Sequence, residues 1–167
     1  MAQTTTPALP TVDAARRDQV LKDVLKGVSR SFYLTIRILP KNLREPVGLA
    51  YLLARAADTI ADQRTGQRAG FPGERLESLL TLRTQVSGPA NLRVLQDLAS
   101  QTMEGTSSPQ EQELCTSLAD AFSLLESLDS GDREQVRWVV ATLIQGMEMD
   151  LTIFSSGGFG PAADSGG

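Results

Sequence analysis

Apolar residues recur at helical spacing through nearly the whole chain, and no useful stretch alternates with the period-two pattern of a strand. That excludes sheet architectures and predicts an all-α fold. Residues 13–26 place Ala14, Val20, Leu21, Val24 and Leu25 largely on one face, with Gly27 as a natural stop. Ser29 is positioned to cap a short helix through Phe32, Leu34, Ile36, Ile38 and Leu39, ended by Pro40. A third helix is expected from near Leu43 to Asp62, with Pro46 in its first turn. Gly and Pro mark a loop over 64–73, and helices follow near 74–86, 90–102 and 109–128. A last helix near 132–154 carries Val136, Val139, Val140, Leu143, Ile144, Met147 and Leu151 as one stripe.

With 167 residues the length fits one domain. The expected organisation is a disordered tail over 1–12, a helical domain over 13–155 and a flexible Gly/Ser tail over 156–167. The N-terminus has no basic segment followed by an apolar one, so it does not read as a secretory signal. No run approaches the roughly 18 apolar residues of a membrane-spanning helix. The expected location is cytoplasmic, with peripheral membrane contact left open.

Composition narrows the chemistry further. The chain has no histidine, which removes Ser-His-Asp triads, Cys-His nucleophiles and His-ligated zinc or haem. Its single cysteine, Cys115, allows no internal disulfide and reads as a packing residue rather than a nucleophile. A net charge of −4 argues against general nucleic-acid binding. Trp138 is expected in the core. Gly146 lies inside a helix, where glycine costs about 1 kcal/mol, so close helix packing or a ligand is expected there.

The helix over 47–62 concentrates the remaining chemistry. With Tyr51 at zero and about 100° per residue, Arg55 falls at about 40°, Asp58 at about −20° and Asp62 at about 20°. Four functional groups therefore share one narrow stripe on an otherwise apolar helix. Such a helix is expected to be buried with its stripe facing a polar cavity, because unpaired buried charges are strongly unfavourable. Carboxylates at i and i+4 suit a hard divalent cation, and Mg²⁺ commonly bridges one or two carboxylates to phosphates. An ordinary Arg55–Asp58 or Arg55–Asp62 ion pair is the competing reading. A second cluster, Ser29-Arg30-Ser31-Phe32, combines a helix start, two hydroxyls and a guanidinium, either as an anion site or as a plain N-cap. Residues 22–55 hold seven basic and two acidic residues, which suits an anionic ligand.

These residues together resemble the squalene/phytoene synthase family. The likeness rests on Ser29-Arg30-Ser31-Phe32, on Leu39-Pro40 with Leu43-Arg44 and Pro46-Val47, on Tyr51, Arg55, Asp58 and Asp62, and on Gly146-Met147-Glu148-Met149-Asp150-Leu151. It covers about residues 18–155 and implies an isoprenoid-synthase-type helical bundle. It further implies head-to-head condensation of two prenyl diphosphates, farnesyl or geranylgeranyl, in isoprenoid biosynthesis. On that resemblance Asp58 and Asp62 bind Mg²⁺, Arg30 and Arg55 contact diphosphate, and Ser31, Phe32 and Tyr51 line the site. NADPH enters only for a squalene-type member. Ala61 departs from the family, where an acidic residue is common. The second Asp-rich motif and its preceding Tyr-containing helix are not in this sequence, so the chain is expected to be an N-terminal fragment, inactive alone and prone to self-association. A non-catalytic helical module, binding prenyl diphosphate or a protein partner, is the alternative from a different class.

Overall fold

The computed structural model describes residues 6–63 and 72–156, all of them helix or short connection, with no strand among them. The first rod is α1 (Ala14–Asp18), a π-helical turn (Gln19–Val24) and α2 (Leu25–Val28). It is followed by α3 (Arg30–Arg37), α4 (Lys41–Ala61), α5 (Pro72–Ser87), α6 (Leu92–Glu104), α7 (Pro109–Thr116), α8 (Leu118–Ser127) and α9 (Ser130–Ser156). The all-α expectation holds. Residues 1–5, most of the expected loop (64–71) and most of the expected C-terminal tail (157–167) lie outside the described residues.

The centre of the bundle is α4, which packs against α9, α5, α8, α7 and α3. The reason is compositional: Leu49, Leu52, Leu53, Ala56, Ala57 and Ile60 leave most of its circumference apolar, and all are buried. Thr59 is also buried, and its hydroxyl donates back to the Arg55 carbonyl at 3.0 Å, so no polar atom is stranded. Leu53→Ala is expected to destabilise the chain by about 3 kcal/mol, read from the urea midpoint, since a fully buried leucine leaves a cavity in this packing.

Several boundaries differ from the sequence-based expectation. The helix α4 starts at Lys41, which moves Pro46 into the second turn. The carbonyl that loses its helical donor belongs to the exposed Asn42, so solvent can serve it. Helix α5 begins at Pro72, not 74. The single helix expected over 109–128 is broken at Ser117. There the backbone N–H is shared between the Glu113 and Leu114 carbonyls, and the hydroxyl accepts from Arg16 of α1 at 3.3 Å. Arg16 also pairs with Asp120 at 2.6 Å, so the break is tied to the first rod.

The stripe on α9 is narrower than expected. Val136, Val140 and Ile144 are buried and Met147 and Leu151 half-buried, whereas Val139 and Leu143 are exposed. Trp138, expected in the core, is 69% exposed. It sits about 200° around the helix from Val136, on the far side from α4 and α5. At Gly146 an added Cβ would meet open space, so close packing within the described residues does not account for this glycine. Cys115 is buried as expected. Burial, followed by the nearby Glu111 charge, pushes its thiol up to about 11 from an ordinary 9.0. At pH 8 its alkylation in the folded chain is therefore expected to run about a hundredfold slower than in urea. The same shift makes folding less favourable as pH rises from 9 towards 11, where only the unfolded thiol ionises.

Candidate functional site

Tyr51, Arg55, Asp58 and Asp62 project from one side of α4, and neighbouring helices contact this stripe at two levels. At the upper level, Ser29 caps α3 by accepting from the Phe32 N–H at 3.3 Å. That start aims Phe32 back at α4, where its ring stacks on Tyr51 with centroids 3.9 Å apart and planes 17° apart. The two aromatics expected to line a site are thus in direct contact. Arg30 and Ser31 are exposed on the opposite side of α3, and neither side chain has a hydrogen bond or ion pair among the described residues.

One turn further along α4, Arg55 is shared. Its Nη1 donates to Asp58 Oδ2 at 2.5 Å and its Nη2 to Glu111 Oε1 of α7 at 3.1 Å. Glu111 is held in turn by the Thr106 hydroxyl, which donates to Oε2 at 2.6 Å. The expected Arg55–Asp58 pair forms, and the fork of the guanidinium adds a partner 56 residues away. The Asp58 carboxylate keeps 46% of its side-chain surface exposed. Asp62 is exposed at the C-cap of α4 and has no side-chain partner among the described residues.

Among the described residues the stripe lies along a half-solvated groove. A cavity of about 830 Å³ opens instead between α5 and α6, with Glu74, Arg75, Asp97 and Glu104 on its walls. None of the eight expected site residues lines it. Charge on a largely buried helix needs compensation, and Arg55 provides it for Asp58 inside a half-solvated groove.

Glu111 and Thr106 were not anticipated from the sequence. The one local signal was misleading: Ser108-Pro-Gln-Glu111 reads as a capping box. Ser108 does accept from the Glu111 N–H at 3.4 Å, but the Glu111 carboxylate turns to Arg55 and Thr106. Only the tertiary packing of α7 on α4 shows this role.

No three cysteine, aspartate or glutamate side chains converge tightly enough to hold a metal by themselves among the described residues. Asp58 and Asp62 offer hard oxygen donors on adjacent turns, which fits the sharing of Mg²⁺ with a phosphate but not an all-protein cage.

Comparison with known proteins bears on this arrangement. The squalene/phytoene synthase family model matches residues 25–156, a span that includes every expected site residue. The chain belongs to the squalene/phytoene synthase family. It is similar to a protein described as squalene synthase BSS from Botryococcus braunii, with 50% identity over 40 residues. That stretch covers 24% of this chain and 9% of the relative. No solved structure matches. Membership supports a prenyltransferase-type function at the level of the family. Among the described residues no helix is long and apolar enough to cross a membrane.

Proposed function

We propose that the α4 stripe binds the diphosphate of a prenyl diphosphate together with Mg²⁺, as one wall of a head-to-head prenyltransferase site. The observation that carries this reading is the charge at the end of α4. Asp58 stands in the last turn and Asp62 at the C-cap, one turn apart on one side. Arg55 balances Asp58 and Arg75 donates to the Ala61 carbonyl at 3.0 Å, but Asp62 has no side-chain partner among the described residues, so the pair keeps oxygens to offer a cation. Asp58 and Asp62 would hold the Mg²⁺, whose chemistry is Lewis acidity towards the leaving phosphate oxygens.

The remaining roles follow from position. Arg55 neutralises Asp58 and offers its fork to an arriving diphosphate. Glu111 and Thr106 keep that fork in place. The Phe32–Tyr51 stack supplies an apolar, π-rich surface next to the charged end, suited to the first isoprene units and to an allylic cation. The family resemblance also assigns Arg30 and Ser31 to the diphosphate, but both are exposed on the side of α3 away from the Phe32–Tyr51 stack, so no contact is assigned to them in this groove. The substrates favoured are farnesyl or geranylgeranyl diphosphate. NADPH would be needed only for squalene-type chemistry.

The test is calorimetric titration with a non-hydrolysable farnesyl diphosphate analogue, with Mg²⁺ and then with EDTA. Binding that needs Mg²⁺ and disappears in Asp58→Ala/Asp62→Ala supports the reading. Binding unchanged in the double variant would leave only an apolar or protein-interaction surface. In the same assay Arg55→Lys is expected to weaken binding about tenfold although the charge is kept, because lysine cannot span Asp58 and Glu111 together. Equal affinity would reduce Arg55 to a point charge.

A further inference from the structure

We infer that the outward face of α9 is a homodimer interface, where a second copy of this chain docks antiparallel about a two-fold axis at Gly146. The first observation is an uncovered apolar stripe. Trp138, Val139, Leu143, Met149 and Ile153 are all exposed, and they fall within about 140° of one another around α9. With Leu80 and Phe154 beside them they present on the order of 700 Å² per chain, close to the about 800 Å² per partner of a standard interface. A monomer rarely leaves so much contiguous apolar surface in water.

The second observation is Gly146 itself. It lies near the middle of the stripe, and an added Cβ would meet nothing within 4 Å. Glycine is a poor helix former, and no neighbour among the described residues requires it there. On an exposed apolar face, a missing side chain lets another backbone approach closely.

The third observation identifies that other backbone. An apolar groove of about 480 Å³ opens between α5 and α9, with Leu76, Leu80, Met149 and Ile153 on its walls. In an antiparallel pair crossing at Gly146, position 138 of one copy lies level with position 154 of the other. The two-fold axis keeps Trp138 on the groove side, so each indole meets the groove of the other copy and the contact is made twice. A large exposed indole opposite an apolar groove is the anchor-and-pocket pairing of an interface hot spot. Asp150 is the one charged residue on this face between positions 138 and 154. The symmetry sets its two copies about 12 Å apart along the helices, beyond the screening length of about 10 Å at 0.1 M salt. The other exposed apolar tips are less suited to self-pairing. Leu34 and Ile38 stand near Arg30, Arg37 and Lys41, whose like charges oppose a symmetric contact.

The experiment is sedimentation equilibrium of the full 167-residue chain, up to about 100 µM and in EDTA. No residue of the α4 stripe takes part, so this inference and the diphosphate reading fail separately. A reversible monomer–dimer equilibrium with a micromolar dissociation constant is expected, limiting at twice 18.0 kDa. Gly146→Leu is expected to weaken the dimer at least about tenfold while helicity by circular dichroism stays the same or rises, since the monomer has room for the side chain. Trp138→Glu is expected to weaken it as much, and decides the point should Gly146→Leu lose helicity. The register is tested with Val139→Cys/Ile153→Cys. These positions lie about 21 Å apart along one helix, so mild oxidation can join them only between copies. The double variant is expected to give a covalent dimer and the single variants not, with the buried Cys115 taking no part. A chain that stays monomeric and leaves the face to a different protein, assemblies that grow past the dimer, or a dimer of full strength in Gly146→Leu or Trp138→Glu would each overturn the inference.

Discussion

Asp58→Asn is expected to remove Mg²⁺-dependent diphosphate binding altogether while leaving the helical content and the urea midpoint close to wild type. The substitution keeps size and hydrogen-bonding capacity but removes the formal charge that a hard cation requires. It leaves the core untouched, since the side chain is nearly half exposed and its one ion pair among the described residues is with Arg55. Arg55 stays anchored by Glu111, so the groove should keep its shape. Titration calorimetry and far-UV circular dichroism on the same sample check both halves. Retained binding would remove Asp58 from the metal assignment, whereas lost helicity would make it a structural residue.

The second large effect concerns turnover. Purified 1–167, given farnesyl or geranylgeranyl diphosphate and Mg²⁺, with and without NADPH, is expected to make no squalene or phytoene. Head-to-head condensation brings two highly charged diphosphates into one pocket, where like charges repel strongly at low dielectric. Their neutralisation needs several cations and therefore carboxylates on both sides. Among the described residues Asp58 and Asp62 stand on one helix, and no larger metal-binding cluster forms. Mass spectrometry of an organic extract decides the point. Robust product would mean that this chain completes its site with groups other than those assigned here.

Much of the fold was legible in the sequence because it is written in local signals. The apolar spacing, the Ser29 cap and the Pro40 stop fixed helix type and order within a few residues of the observed ends. The errors arose where long-range contacts decide. The Ser117 break is tied to Arg16, a hundred residues earlier in the chain. The exposure of Trp138 depends on which arc of α9 meets α4 and α5, and an apolar stripe as broad as this one does not specify it. The site was legible in the same measure. Helical arithmetic aligned Tyr51, Arg55, Asp58 and Asp62, and the structure seats Phe32 on Tyr51. Glu111 was hidden because its sequence neighbourhood points to a cap, while its true partner sits on another helix. Among the described residues the Asp58 carboxylate is balanced by Arg55 in a half-solvated groove, a pairing that helical spacing alone had offered as the competing reading.

On the proposed reading a divalent cation and a diphosphate meet at the end of α4. Amide NMR of the labelled chain, with Mn²⁺ replacing Mg²⁺ in the presence of inorganic diphosphate, locates the ion directly. Paramagnetic broadening is expected to be strongest at residues 55–62 and at Glu111, absent when diphosphate is left out and absent in Asp58→Ala/Asp62→Ala. Broadening centred instead on Glu74, Asp97 and Glu104 between α5 and α6, or unchanged in the double variant, would contradict it.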